Sequence, residues 1–212
     1  MVAVIDYGAG NLLSVKNALH ALHVNCVITR DRDEILSADR VILPGVGSFG
    51  EAMDAIQGRV LCSGRQVSRN LVNTIYDVIS CGRPFMGICL GLQLLFEQSE
   101  ESPGVSGLGI FKGTIVRFPE MPGLKVPHVG WNSLERTKAG SLLEDMENAY
   151  VYFVHSYYLR SQDENIVASY TDYGVSFHSA VAQKQIFACQ FHPEKSGRVG
   201  LYILKKFADQ TC

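Results

Sequence analysis

The first hundred residues alternate between short, wholly apolar runs and longer stretches whose apolar positions recur every three or four residues. Runs of the first kind suit strands buried on both faces, and spacings of the second kind suit helices packed on them. Val2–Ile5, Cys26–Thr29, 40–43 and 84–88 read as strands. Leu12, Val15, Leu19 and Leu22 share one face of a helix with Asn11 as its N-cap, residues 33–36 make a helical turn, and a helix begins near Ser48. Residues 57–66 read as a loop or an irregular helix end. Leu71, Ile75 and Val78 face inward from a helix over 68–81 with Gly82 just past it, and 90–98 has helical spacing with Leu94 and Leu95 on one side. The order β-α-β-α-β-α-β predicts a parallel sheet with helices on both faces.

Beyond residue 110 the pattern changes. Short β-type runs (GTIVRF, YVYFVHSYYL, NIVASY, VSFHSAVA, QIFACQF) are punctuated by Gly, Pro, Asn and Asp, and helical spacing nearly vanishes up to residue 190. This half is expected to pair mainly antiparallel and to extend the sheet. A last amphipathic helix over 200–208 carries Leu201, Leu204 and Phe207. The expected fold is α/β: an open, mostly parallel sheet flanked by helices, with an antiparallel, β-rich second half, in a single domain over residues 1–212.

Composition narrows the partners. With 212 residues and 47% hydrophobic content the chain can bury a full core. A net charge of -2, with no basic cluster interleaved with aromatics, gives no reason to expect nucleic acid. No apolar run approaches the ~18 residues of a membrane span, and Met1 leads straight into VAVID without a basic n-region, so no membrane or secretory role is expected. Of the six cysteines, Cys26 and Cys189 fall in strand patterns, Cys62 and Cys81 in helical or loop segments, and Cys212 at the terminus. None pairs with another in C-x-x-C spacing, so neither a metal site nor a disulfide framework is expected, and a reducing cytoplasmic setting fits.

The candidate chemistry lies where strands end. Cys89 sits at a strand-to-helix junction with Gly87 and Gly91 two residues to either side, the pattern of a nucleophile elbow. Such a turn pushes the sulfur out of the sheet beside the first free amides of a helix, which favour the negative charge of a thiolate. Pro44-Gly45-Val46-Gly47-Ser48-Phe49-Gly50 follows another strand end, as either a plain βα loop or a set of backbone donors for developing negative charge. The Gly8-Ala9-Gly10 turn lacks the third glycine of a dinucleotide fingerprint, and no acidic residue ends the next strand; no cofactor is expected. In Gln190-Phe191-His192-Pro193-Glu194, Pro193 favours an extended His192, and in an extended segment Glu194 lies on the same side two residues on. A carboxylate behind a histidine fixes its tautomer, which is what a cysteine nucleophile needs of its base.

Gly87-Ile88-Cys89-Leu90-Gly91-Leu92-Gln93 together with Phe191-His192-Pro193-Glu194 resembles the Cys-His-Glu triad of the class I glutamine amidotransferases, a flavodoxin-like family. Further segments extend the likeness over the whole chain: Asp6-Tyr7-Gly8-Ala9-Gly10-Asn11, Pro44-Gly45-Val46-Gly47-Ser48-Phe49, Pro127-His128-Val129-Gly130-Trp131-Asn132, Tyr152-Phe153-Val154-His155-Ser156-Tyr157 and His192-Pro193-Glu194-Lys195-Ser196-Gly197. In these it is similar to the glutaminase subunits of imidazole glycerol phosphate synthase. The resemblance implies hydrolysis of L-glutamine, with the ammonia passed to a separate (β/α)8 cyclase subunit in a heterodimer of the histidine pathway. It also implies roles for particular residues. Cys89 would be the nucleophile, His192 the base, and Glu194 its orienting partner. Leu90 and the Val46–Gly47 stretch would supply oxyanion donors. Gln93, Ser156, Tyr157 and Glu101, or Glu100 in its place, would hold the substrate, and Asn11, Trp131, Tyr152 and Lys195 would meet the cyclase. A glutaminase feeding another synthase, such as one aminating a nucleotide sugar, and a non-catalytic regulatory module on the same fold are the two rival readings.

Overall fold

The computed structural model describes residues 1–58 and 70–210. Cys62, Cys212, most of the 57–66 segment and the first two residues of the helix expected over 68–81 lie outside the described residues. Strands β1 (Val2–Ile5), β2 (Cys26–Thr29), β3 (Arg40–Gly45) and β4 (Phe85–Cys89) run parallel in the order β2-β1-β3-β4. Their side chains alternate between two cores. Ala3, Ile5, Val41, Leu43 and Phe85 pack toward α2 (Arg32–Ser37), α3 (Phe49–Ile56) and α4 (Leu71–Ser80), whereas Val2, Val4, Ile42, Met86 and Ile88 pack toward α1 (Leu12–Ala21) and the C-terminal helix. The β1, β3 and β4 runs are thus strands with both faces buried, as their lack of polar alternation requires, while β2 at the sheet's edge is only partly covered.

Helix α5 is only Leu90–Gln93, not the longer helix that 90–98 suggests. The carbonyls a continuing helix would need are taken by another segment. Leu94 O accepts from Leu108 N (2.8 Å), Leu95 O from Phe111 N (3.1 Å) and Glu97 O from Gly107 N (2.9 Å). Leu94, Leu95 and Phe96 are all buried, and the approach is so close that a Cβ on Gly107 would lie 2.1 Å from Phe96 O. The chain then enters β5 (Gln98–Ser99).

The second half contributes β6 (Gly113–Arg117), β7 (His128–Ser133), β8 (Tyr150–His155), β9 (Tyr157–Ser161), β10 (Val167–Asp172), β11 (Ser176–Gln183) and β12 (Ile186–Cys189). The sheet continues past β4 in the order β12-β11-β9-β6-β5, with β10 on β11. Strand β12 lies parallel to β4, and the β12-β11, β11-β9 and β9-β6 pairs are antiparallel. One expectation is corrected: β7 and β8 do not extend the sheet but form a separate antiparallel ribbon. The run YVYFVHSYYL divides at Ser156, so that β8 joins the ribbon and β9 the sheet. The ribbon's inner face (His128, Val151, Phe153, His155) closes the second core, while Val129, Trp131, Tyr150 and Val154 remain exposed. The last helix, α6 (Gly197–Asp209), begins three residues earlier than its apolar spacing suggests.

Candidate active site

The carboxyl ends of β3, β4 and β12 lie side by side, with Gly45 opposite Cys89 and Cys189 opposite Ile88. Sites form at such strand ends in open α/β sheets. Cys89 ends β4 with φ 54° and ψ -108°, a left-handed conformation that costs a non-glycine residue about 1–3 kcal/mol and here turns the chain at once into α5. The flanking glycines serve by leaving room. A Cβ on Gly91 would lie 1.9 Å from Leu43 O, and one on Gly87 2.8 Å from Gly91 O. Leu90 opens α5, so its N–H has no acceptor within the helix.

His192 follows β12 with its backbone extended, as the residue before Pro193 should be, and is only 2% exposed. Its Nδ1 is 2.8 Å from Glu194 Oε1. The contact arises differently from the extended geometry expected: residues Pro193–Lys195 form a 3-10 turn, which folds Glu194 back under the ring. The turn is held by His192 N donating to Tyr152 O (2.9 Å) and Ser196 Oγ donating to His192 O (2.6 Å). The other ring nitrogen, Nε2, is buried without a hydrogen-bond partner, and His192 lines the same cavity as Cys89. Burial pulls the His192 pKa down, but the Cys89 sulfur and the Glu194 carboxylate outweigh it and raise it to about 10. Both partners favour the protonated ring.

A cavity of about 350 Å3 opens over Cys89 and His192. Val46, Gly47 and Leu90, the expected oxyanion donors, line it, as do Gln93, Glu101, Ser156 and Tyr157, the expected substrate residues. The two neighbouring carboxylates differ in their backbone donors. Glu101 borders the cavity, with Oε2 accepting from Phe49 N (2.8 Å) at the start of α3, whereas Glu100 Oε2 accepts from Arg117 N (2.8 Å) on β6. Gln93 departs from a simple substrate-binding role. Its Nε2 donates to Tyr157 O (3.1 Å) and Gln190 Oε1 (3.0 Å), which leaves only its own oxygen uncommitted.

Trp131 and Tyr152 pair across the β7–β8 ribbon, edge to face with ring centroids 6.1 Å apart, and Lys195 Nζ lies 6.0 Å from the Tyr152 ring. Trp131 is 54% exposed, so it is not a core residue. Asn11 precedes α1, which packs on the 3-10 turn carrying Lys195, and its side chain makes no capping bond.

Three features have no signal in the sequence beyond their place in the quoted segments. The Tyr7 hydroxyl is buried without a partner, 2.5 Å from where a Cβ on Gly45 would stand, and burial followed by the Cys89 charge pushes its pKa well up. His128 and His155 form a buried pair (Nδ1 to Nε2, 3.1 Å). Burial lowers the His128 pKa to about 4. Burial also lowers that of His155, to about 3, with His128 and His192 adding to the effect and the Tyr157 carbonyl opposing it. Both rings are therefore neutral near pH 7. Gln190 is the third, and its amide reaches the Cys89 sulfur. Among the described residues no cluster of His, Cys, Asp or Glu is arranged to hold a metal ion, and no helix is long and apolar enough to cross a membrane.

Comparison with known proteins bears on this geometry. The family model for glutamine amidotransferase class-I matches residues 3–211. Imidazole glycerol phosphate synthase subunit HisH of Methanothermobacter thermautotrophicus is 46% identical over 209 residues, covering 99% of this chain and 98% of that one. Imidazole glycerol phosphate synthase hisHF, chloroplastic, of Arabidopsis thaliana is 44% identical over 209 residues, covering 98% of this chain but 34% of the plant protein. A solved structure described as that of a glutamine amidotransferase superposes with a TM-score of 0.73 at 18% identity, covering 99% of this chain and all of its own; at that identity the likeness speaks for the fold. With a Cys-His-Glu constellation at the strand ends and relatives of this identity along its whole length, the chain belongs to the glutamine amidotransferase class-I family and, within it, to the HisH subunits of imidazole glycerol phosphate synthase.

Proposed function

We propose that this chain, a single domain over residues 1–212, hydrolyses the side-chain amide of L-glutamine through Cys89, His192 and Glu194 and passes the ammonia to a cyclase of the (β/α)8 type. That cyclase would use it to make imidazole glycerol phosphate and AICAR in the cytoplasm. The observation that carries the reading is the Cys89 turn, with His192 beside it, Glu194 2.8 Å behind the ring, and the cavity in front.

The chemistry follows from these positions. The Cys89 sulfur attacks the carboxamide carbon, and the carbonyl oxygen takes up the electron pair. The N–H of Leu90, joined in the docked complex by one from the Val46–Gly47 stretch, faces that oxyanion. His192 gives its proton to the departing nitrogen, so ammonia leaves and a thioester to Cys89 remains. His192, now neutral, takes a proton from water as the water attacks the thioester. Glutamate leaves and the sulfur is restored. Glu194 keeps Nδ1 protonated, so Nε2 is the nitrogen that exchanges protons. Glu101 supplies a carboxylate for the substrate ammonium, and the Ser156–Tyr157 backbone receives its carboxylate.

Support for a separate partner comes from the plant relative, a much longer chain of which this one matches about a third. The ribbon's exposed Val129, Trp131 and Tyr150, with Lys195 nearby, offers an apolar face for docking. Trp131→Ala is expected to weaken the complex by about thirtyfold or more in Kd. Because the ring is more than half exposed, thermal unfolding of the free chain should shift little. A large fall in Tm with unchanged partner affinity would reassign Trp131 to structural packing.

The function is tested by ammonia release from glutamine, with and without the partner subunit. The oxyanion stretch carries Gly47 at φ +99° with open space around it, so a peptide there has room to reorient. One missing oxyanion donor costs about 10²- to 10³-fold in kcat. The free chain is expected to turn over slowly, and a partner loaded with its acceptor should raise kcat by about that factor with a smaller change in KM. A complex that releases no ammonia from glutamine would overturn the reading.

A further inference from the structure

We propose that Gln190 is a further catalytic group of this site: its side-chain amide donates a hydrogen bond to the Cys89 sulfur and holds that sulfur whenever it carries negative charge. The inference rests on Cys89 being the nucleophile, as argued above. Gln190 is wholly buried just past the end of β12, its backbone N–H donating to Ser179 O (2.8 Å). Its Nε2 stands 3.6 Å from Cys89 Sγ.

The orientation of this amide does not depend on telling nitrogen from oxygen in the side chain, because a chain of bonds fixes it from a backbone carbonyl. Tyr157 O can only accept. It receives Nδ1–H of His155 (2.9 Å), so the terminal atom of Gln93 that also meets it (3.1 Å) must be the NH2. That NH2 donates its second proton to the near atom of Gln190 (3.0 Å), which must therefore be the oxygen. The remaining atom of the Gln190 amide, the one facing the sulfur, is the nitrogen. The carbonyl that anchors the sequence is itself backed by the neutral His128–His155 pair: His155 Nε2 accepts from His128 Nδ1–H (3.1 Å), and Asn132 Nδ2 approaches His128 Nε2 (3.4 Å).

An amide donor does something His192 cannot. His192 loses its proton to ammonia midway through the reaction, whereas Gln190 cannot ionise and remains a donor at every step and at every pH. A bond to a charged acceptor is about twice as strong as one to a neutral acceptor. The Gln190 bond is therefore strong to the attacking thiolate, weak to the thioester sulfur, and strong again as the thiolate is expelled. It favours the charged sulfur before attack and assists its departure from glutamate.

The test uses the chain in complex with its partner subunit. Inactivation by iodoacetamide is followed against pH, with the labelled residue located by mass spectrometry and glutamine turnover measured in parallel. Gln190→Met fills similar volume without a donor, and Gln190→Glu keeps the shape while presenting only acceptors once ionised. In both, the pH midpoint of Cys89 alkylation should move up by at least about half a unit, and kcat should fall about tenfold or more with KM within roughly threefold. If neither Gln190 variant folds, Gln93→Met, which frees the Gln190 amide to turn, should shift the midpoint in the same direction. Midpoints that coincide with wild type in the folded variants, while labelling of Cys89 abolishes turnover, would overturn the role of Gln190 and leave the nucleophile in place. Labelling of wild-type Cys89 without loss of turnover would remove the nucleophile assignment, and this inference with it.

Discussion

Replacing Cys89 with alanine is expected to abolish glutamine-dependent synthesis by the two-subunit enzyme while leaving ammonia-dependent synthesis close to wild type. The sulfur is the atom that forms the acyl intermediate in the proposed reaction, and no other cysteine among the described residues lines the cavity. Cys189 is one register step away on β12, but it is buried in the second core with its Sγ toward Phe191 O (3.4 Å). Ammonia supplied in solution bypasses this chemistry, because in the proposed scheme the acceptor is held by the partner. Structurally the change is small. Alanine at position 89 inherits the same left-handed backbone, and removing one sulfur from a site already beside a cavity costs roughly 1 kcal/mol. Rates with glutamine and with ammonium salts, measured on one preparation, separate the two functions. Equal loss of both would refute the assignment of Cys89 and point to failure of docking.

The parallel half of this fold is legible because each strand is apolar on both sides and each helix on one. β1 to β4 and α1 to α4 need only those two periodicities. The Cys89 elbow is legible for a related reason: glycines at 87 and 91 mark the two places where backbone meets backbone. What escapes the sequence depends on groups far along the chain. The length of α5 is decided by N–H groups at Gly107, Leu108 and Phe111, which take the carbonyls of Leu94, Leu95 and Glu97 that a longer helix would need. The ribbon shows the same period-two alternation as a sheet strand, so β8 and β9 look continuous until Ser156 sends them to different partners. Glu100 and Glu101 are equivalent in sequence, and only the N–H groups of Arg117 and Phe49 tell them apart. Gln190 and His155 each look like an ordinary buried polar residue. Their role emerges only where the Gln93 amide bridges Gln190 and the Tyr157 carbonyl that His155 also meets.

His192→Ala and Glu194→Gln should separate the proton carrier from the group that orients it. Without the imidazole the other titratable groups lining the cavity are already engaged, Glu101 with Phe49 N and His155 with Tyr157 O and His128, so the proton of the attacking water and that of ammonia lose their carrier and kcat for glutamine should fall by at least about 10³-fold. Glu194→Gln keeps an acceptor for Nδ1 at nearly the same place and should cost less, about 10- to 100-fold. Two penalties remain in that variant. Glu194 Oε2 is buried without a partner, so the NH2 that replaces it is buried and unpaired as well, and the imidazolium loses one of the two charges that raise its pKa. The second penalty has a sign. His192 must be protonated when ammonia leaves, and it deprotonates as pH rises through its pKa of about 10. Removing the Glu194 charge lowers that pKa, so the alkaline limb of the kcat profile should move to lower pH in Glu194→Gln. Profiles of kcat from pH 6 upward, with thermal melts to establish folding, read both effects. If Glu194→Gln is as damaging as His192→Ala in a folded protein, or if its alkaline limb stays where the wild type has it, Glu194 does not support the imidazolium and its part in the triad must be given up.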